Sequence, residues 1–297
     1  IATTVVIIKI MAAAECSNFP VNNLDTCQDS MYVALRYFPL HDAAREGDVL
    51  LVTHLLQMGY PVNSADYDRT TALHVAALNR QFQVMEILLD NGAEVESVTI
   101  DGSTPLCDAS AGGDAKCVQL LLENGALVNP KFVFSGSPLH EAALRGHAEC
   151  VKLLIDYGAD LEANDGHFGT PLHAACIRPP SMECVKILLK SGAAVNATKI
   201  HSTPLHNAAK INNFDLANLL IKFGAAIRSR DNQGYTPKEL TIPGGEVYKL
   251  LEYYESNPLT LCESCRSTFW RHSGRQGITL LETIVLPKIV KNYLVFD

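Results

Sequence analysis

Ser137-Pro138-Leu139-His140-Glu141-Ala142-Ala143 stands near the middle of the chain, and its opening returns on a fixed grid. Pro39-Leu40-His41, Ala72-Leu73-His74, Pro105-Leu106-Cys107, Pro138-Leu139-His140, Pro171-Leu172-His173 and Pro204-Leu205-His206 each begin 33 residues after the last, and Pro237 falls on the same grid. Ser or Thr precedes most of them, at Thr71, Thr104, Ser137, Thr170, Thr203 and Thr236. A glycine follows five of these six openings 20 residues later, at Gly59, Gly92, Gly125, Gly158 and Gly224.

Each unit reads as two short helices. The Ser or Thr hydroxyl can accept a backbone N–H at the start of the first helix, and proline fits the first helical position, where its missing N–H is not needed. The Leu and the Ala pairs (Ala43-Ala44, Ala76-Ala77, Ala142-Ala143, Ala174-Ala175, Ala208-Ala209) give a narrow apolar face for close packing. Runs such as Val84-Met85 and Ile87-Leu88-Leu89 supply the second helix, and the glycine provides the left-handed residue that ends it. The chain then turns back as an extended finger. Such a unit cannot bury its own apolar surface, so several must stack into an elongated core. The repeated Leu belongs to that core, and the repeated His is expected to be a hydrogen-bonded structural residue.

One unit slips. Pro171 to Gly192 is 21 residues and Gly192 to Pro204 is 12, so the loop around residues 177–182 gains a residue and the next finger loses one. A local distortion is expected there. The unit opening at Pro237 lacks the usual exit and carries Tyr248, Leu250, Leu251, Tyr253 and Tyr254 instead, as a cap over the open end would.

Composition agrees with a packed protein: 297 residues, 47% hydrophobic and 19% charged. With 24 basic and 32 acidic residues the net charge is −8, unsuited to a nucleic-acid backbone, so no nucleic-acid partner is expected. Nine cysteines spread along the chain suit a reducing compartment better than a small disulfide scaffold. The apolar residues 1–10 are too few to span a bilayer, and no membrane association is expected. They are read as translated upstream sequence ahead of a start at Met11, the alternatives being the end of a targeting segment or a tail. Residues 21–37, with Met31, Val33, Leu35 and Tyr37, could form a capping helix or lie in a groove.

The period, the Thr-Pro-Leu-His opening and the Leu-Leu-x-x-Gly-Ala exit resemble ankyrin repeats. Beyond Pro258, Leu261, Cys265 and Phe269 share one helical face at i, i+4 and i+8, with Thr260 able to cap that helix. This segment is similar to a SOCS box, whose first helix carries Leu and Cys at this spacing. The end of the chain, with Leu286, Pro287, Tyr293 and Leu294, resembles the cullin-5-selecting tail; Ile289 stands where a second proline is usual. The whole chain thus resembles the ankyrin repeat and SOCS box proteins. The expected fold is all-α: an ankyrin-repeat solenoid over residues 37–254, with six repeats plus a terminal capping repeat, then a small helical SOCS box over residues 258–297, residues 1–36 forming an N-terminal segment.

The resemblance implies the substrate-recognition subunit of a cullin-RING ubiquitin ligase, itself non-catalytic. Leu261, Cys265 and Phe269 would bind elongin C of the elongin B–C pair; Leu286, Pro287, Tyr293 and Leu294 would select cullin-5 with its RING-finger partner. The setting would be cytoplasmic, with the nucleus also open. The alternative is an ankyrin scaffold or inhibitor with a vestigial box. For the protein target, the fingertips offer Phe132, Phe134, His167, Phe168, Ile200 and His201, either as an exposed cluster or as packing between fingers.

No cofactor or metal is expected. Cys262 and Cys265 make half a zinc site with only His272 nearby. His140-Glu141 begins like a zinc-protease helix, but Leu144 stands where the second His is required. Gly-rich phosphate loops and Gly-x-Ser-x-Gly elbows are absent. Asn196-Ala197-Thr198 fits a glycosylation sequon that an intracellular chain would not use.

Overall fold

The computed structural model describes residues 38–130, 136–177, 179–199, 202–257, 260–274, 277–284 and 286–295. The expectations for residues 1–37, and for Phe132, Phe134, Ile200 and His201, lie outside them. Six helix pairs follow one another: α1 (Pro39–Glu46) and α2 (Val49–Gln57), α3 (Ala72–Leu78) and α4 (Phe82–Asp90), α5 (Pro105–Gly112) and α6 (Ala115–Glu123), α7 (Pro138–Arg145) and α8 (Ala148–Asp156), α9 (Pro171–Ala175) and α10 (Met182–Lys190), α11 (Pro204–Lys210) and α12 (Phe214–Lys222). First helices pack on first helices and second on second, as a stacked solenoid requires. A 3₁₀ turn (Lys238–Leu240) and α13 (Glu246–Ser256) close the stack, with Val247 and Leu251 buried in the same core as the repeats. Among the described residues no helix is long and apolar enough to cross a membrane.

The repeated Leu40, Leu73, Leu106, Leu139, Leu172 and Leu205 are all buried in that core. The histidines do what their position suggests, and more. In His74, Nδ1 accepts the Thr71 N–H at 3.2 Å and lies 2.9 Å from its hydroxyl. Its Nε2 meets the carbonyl of Ser103 at 3.2 Å, in the next finger. His140 reaches Gly169 at 2.8 Å, His173 reaches Ser202 at 3.1 Å and His206 reaches Tyr235 at 3.3 Å in the same manner. A carbonyl can only accept, so Nε2 carries the proton and Nδ1 is bare. Each ring therefore caps its own helix and staples it to the following repeat.

A second ladder runs along the helix-exit edge. Asn129 donates to the Gly158 carbonyl at 3.0 Å and accepts the Asp160 N–H at 2.9 Å; Asn63 and Asn196 repeat this on Gly92 and Glu94, and on Gly224 and Ala226. Glu96 and Glu162 fill the intervening repeats as acceptors, from Leu127 and Ala194. The side-chain amide of the sequon residue Asn196 is thus committed to the fold. The expected distortion appears in the fifth pair: α9 has 5 residues, and the chain runs through Cys176, Ile177 and Ser181 before α10 begins.

Candidate functional site

Three short helices follow the cap: α14 (Leu261–Ser273), α15 (Gly277–Thr283) and α16 (Lys288–Val295). Thr260 starts α14 through a capping box. Its hydroxyl accepts the Glu263 N–H at 3.3 Å, and the Glu263 carboxylate accepts the Thr260 N–H at 2.8 Å. That backbone bond holds the Glu263 carboxyl below the usual carboxylate range.

The helix has two faces with different duties. Arg266, Ser267 and Trp270 are buried. Trp270 donates its indole N–H to the Leu294 carbonyl at 2.7 Å, and the Arg266 guanidinium lies 4.5 Å from the Tyr293 ring while donating to the Tyr293 carbonyl at 3.4 Å. These contacts tie α16 to α14. On the array side Trp270 and Ser267 border a crevice of about 280 Å³ with Leu189, Val195 and Phe223. Gly192, at φ 95°, ends α10 with no room for a side chain: a Cβ there would lie 3.0 Å from the Gly274 Cα. The C-terminal helices therefore rest on the exit turn of the fifth repeat, the repeat whose register slips.

The opposite face is open. Leu261 is 80% exposed and Cys265 is exposed, while Phe269 is half-buried and packs against the core. Leu261, Ser264, Cys265, Thr268, Phe269 and Leu280 line a shallow groove of about 650 Å³. In the tail, Pro287 and Tyr293 are exposed, whereas Leu286 and Leu294 are half-buried and pack against the core. Two of the four tail residues thus face solvent and two serve packing.

At the fingertips His167 is exposed, its backbone N–H held by Asp165 at 3.0 Å. Phe168 is half-buried against the core. Among the described residues no group of His, Cys, Asp or Glu could hold a metal ion. Sequence reasoning passed over Trp270 and Arg266; the signal available was the chain's single Trp, placed on the face of α14 away from Leu261 and Cys265.

Ankyrin-repeat family models match residues 40–132, 127–199 and 188–240. Human ankyrin repeat and SOCS box protein 13 is 47% identical over 101 residues, 34% of this chain and 36% of that protein. Mouse ankyrin repeat and SOCS box protein 5 is 39% identical over 111 residues, 37% of this chain and 34% of that one. The chain thus matches about a third of the length of these curated relatives. Residues 101–108, 167–173 and 258–261 are those on which the sequence alone sets the chain beside member thirteen. The crystal structure of the human ASB11 ankyrin repeat domain superposes with a TM-score of 0.71 at 37% identity, covering 75% of this chain and 100% of that domain. The repeat register, the stacked helix pairs and these matches together establish that the chain belongs to the ankyrin repeat family, with homologues among the ankyrin repeat and SOCS box proteins.

Proposed function

We propose that this chain is the substrate-recognition subunit of a ubiquitin ligase built on elongin B–C, cullin-5 and a RING-finger protein. It performs no chemistry itself. Its array holds a protein target in the cytoplasm or nucleus, and its C-terminal helices, read as a SOCS box, dock to the adaptor. The observation that carries this reading is the Leu261/Cys265 face of a capped helix, left open while the opposite face packs on the array. A solitary apolar side chain in solvent needs no explanation. A helix whose Leu and Cys line an apolar groove is suited to receive a partner.

Ubiquitin transfer would then be a matter of proximity. A client tethered near a charged conjugating enzyme meets the thioester at high effective concentration, and the receptor contributes stiffness and reach. The test is capture of purified elongin B–C. Leu261→Asp should abolish it, since a buried interface anchor contributes about 2–4 kcal/mol and a charge there adds desolvation. Leu261 lies outside the core, so the melting temperature should not move. A wild-type chain that fails to bind purified elongin B–C would overturn the proposal.

A further inference from the structure

Along the first helices and the turns that follow them runs a row of residues whose side chains neither ladder uses. Six residues beyond each repeat opening stand Arg45, Leu78, Ala111, Leu144, Ile177 and Lys210. The four central positions are apolar. Leu78 is 46% exposed, Leu144 and Ile177 are half-buried, and Ala111 makes a low point between Leu78 and Leu144. One turn earlier on the same faces are Asp108, beside Ala111, and Glu141, beside Leu144. Arg45 pairs with Asp42 at 3.1 Å and Arg145 with Glu141 at 3.1 Å. Asp108 has no ion pair among the described residues; its carboxylate accepts the Ser103 hydroxyl at 2.9 Å. Asp108 and Glu141 thus stand near a single cation, Arg145, and the apolar notch is left with one net negative charge at its edge.

We infer that this row receives an apolar client segment carrying a lysine or arginine beside the side chain that fills the notch over Ala111. The inference rests on reading the array as the client-holding part. An apolar side chain seated between Leu78 and Leu144 brings a flanking cation to Asp108, where an acidic segment would add negative charge beside two carboxylates, Asp108 and Glu141, that share the single cation Arg145. Four neighbouring helices about 9 Å apart give the apolar part of the row a length of about 27 Å, equal to a helix of about 18 residues. Arg45 and Lys210 bound it at either end.

Two labelled peptides of about 18 residues test this on the full chain by fluorescence anisotropy: leucine at every third or fourth position, with lysine between in one and glutamate in its twin. The lysine peptide should bind at least about tenfold more tightly. Asp108→Asn, which keeps the Ser103 bond, should remove most of that preference, and Leu144→Ser should weaken the lysine peptide; thermal melts of both variants monitor folding. Equal binding of the twins, binding of neither, or an unchanged preference in Asp108→Asn would overturn the inference. Elongin B–C capture is measured on the same proteins. A chain that captures the adaptor yet does not distinguish the peptides defeats this inference and leaves the ligase reading standing.

Discussion

Acid should loosen the array, because its histidine staples work only as neutral rings. Burial lowers the pKa of His74 from 6.5 to about 4. A second proton would sit on Nδ1, which already faces the N–H and hydroxyl of Thr71. The folded state therefore resists a proton that the unfolded chain accepts. With the folded pKa depressed, the unfolded chain binds more protons between pH 6.5 and about 4. The stabilisation is thus full above pH 6.5 and is lost progressively as pH falls towards the folded value. Between pH 7 and 5.5 this one ring removes about 1.2 kcal/mol. His140, His147, His173 and His206 are lowered by burial and act in the same direction. Asp108 opposes them: burial raises its pKa from 3.8 to about 6, so the folded state takes up a proton there first, recovering about 0.8 kcal/mol over the same interval. Urea unfolding at pH 7 and 5.5 should show a net loss. His74→Gln should shrink the loss by about 1 kcal/mol, and Asp108→Asn should enlarge it by slightly less. NMR titration of the His74 ring proton gives the direct reading. A midpoint near 6.5, or equal pH slopes in all three proteins, would refute the reasoning.

Other positions give sharp expectations. His41 keeps its staple to the Thr70 carbonyl at 2.8 Å, but Phe38 replaces the capping hydroxyl and Nδ1 of His41 has no partner among the described residues. Phe38→Thr should raise stability to urea by about 1 kcal/mol. A Cβ on Gly112 would lie 2.8 Å from the Leu78 carbonyl oxygen and 2.9 Å from that of Ala77, both backbone atoms that cannot turn aside. Gly112→Ala should therefore cost about 2 kcal/mol, read from the urea midpoint, despite the better helix propensity of alanine. Asn129→Ala removes both the Gly158 and Asp160 contacts from the exit ladder and should cost about 1 kcal/mol in the same assay.

The repeat was legible because every unit states the same rule. The Pro-Leu-His opening, the Ala pair and the glycine each meet a fixed physical demand, so their spacing alone reports the stack. The slip at Pro171–Gly192 was readable as a distortion, and it emerges as a shortened helix. The exit ladder was also written in the sequence, at Asn63, Glu96, Asn129, Glu162 and Asn196. Its role was not, because asparagine and glutamate on a polar edge look alike whether solvated or bonded. The fingertip Phe168 left exposure and packing both open in the sequence, because an apolar residue on a projecting loop can do either; it lies half-buried against the core. Hidden most deeply was the seat of the C-terminal helices. It depends on Gly192 and Gly274, which meet from distant parts of the chain, and no periodicity within one segment reports such a meeting.

That seat bears on how the two halves could act together. A receptor that ended in a free tail would let its box wander, and the effective concentration of a tethered client would fall as the accessible volume grew. Here the end of α14 meets the fifth repeat where Gly274 approaches Gly192, and α16 is held to α14 by Trp270 and Arg266. The array is stapled at both edges, by histidines at the fingers and by Asn and Glu at the helix exits. A load applied at the first helices therefore reaches Leu261 through side chains that are already ordered. Under the ligase reading, the distance from client to adaptor is fixed by the fold, and the entropy of holding it there is spent when the chain folds and need not be met again at each encounter.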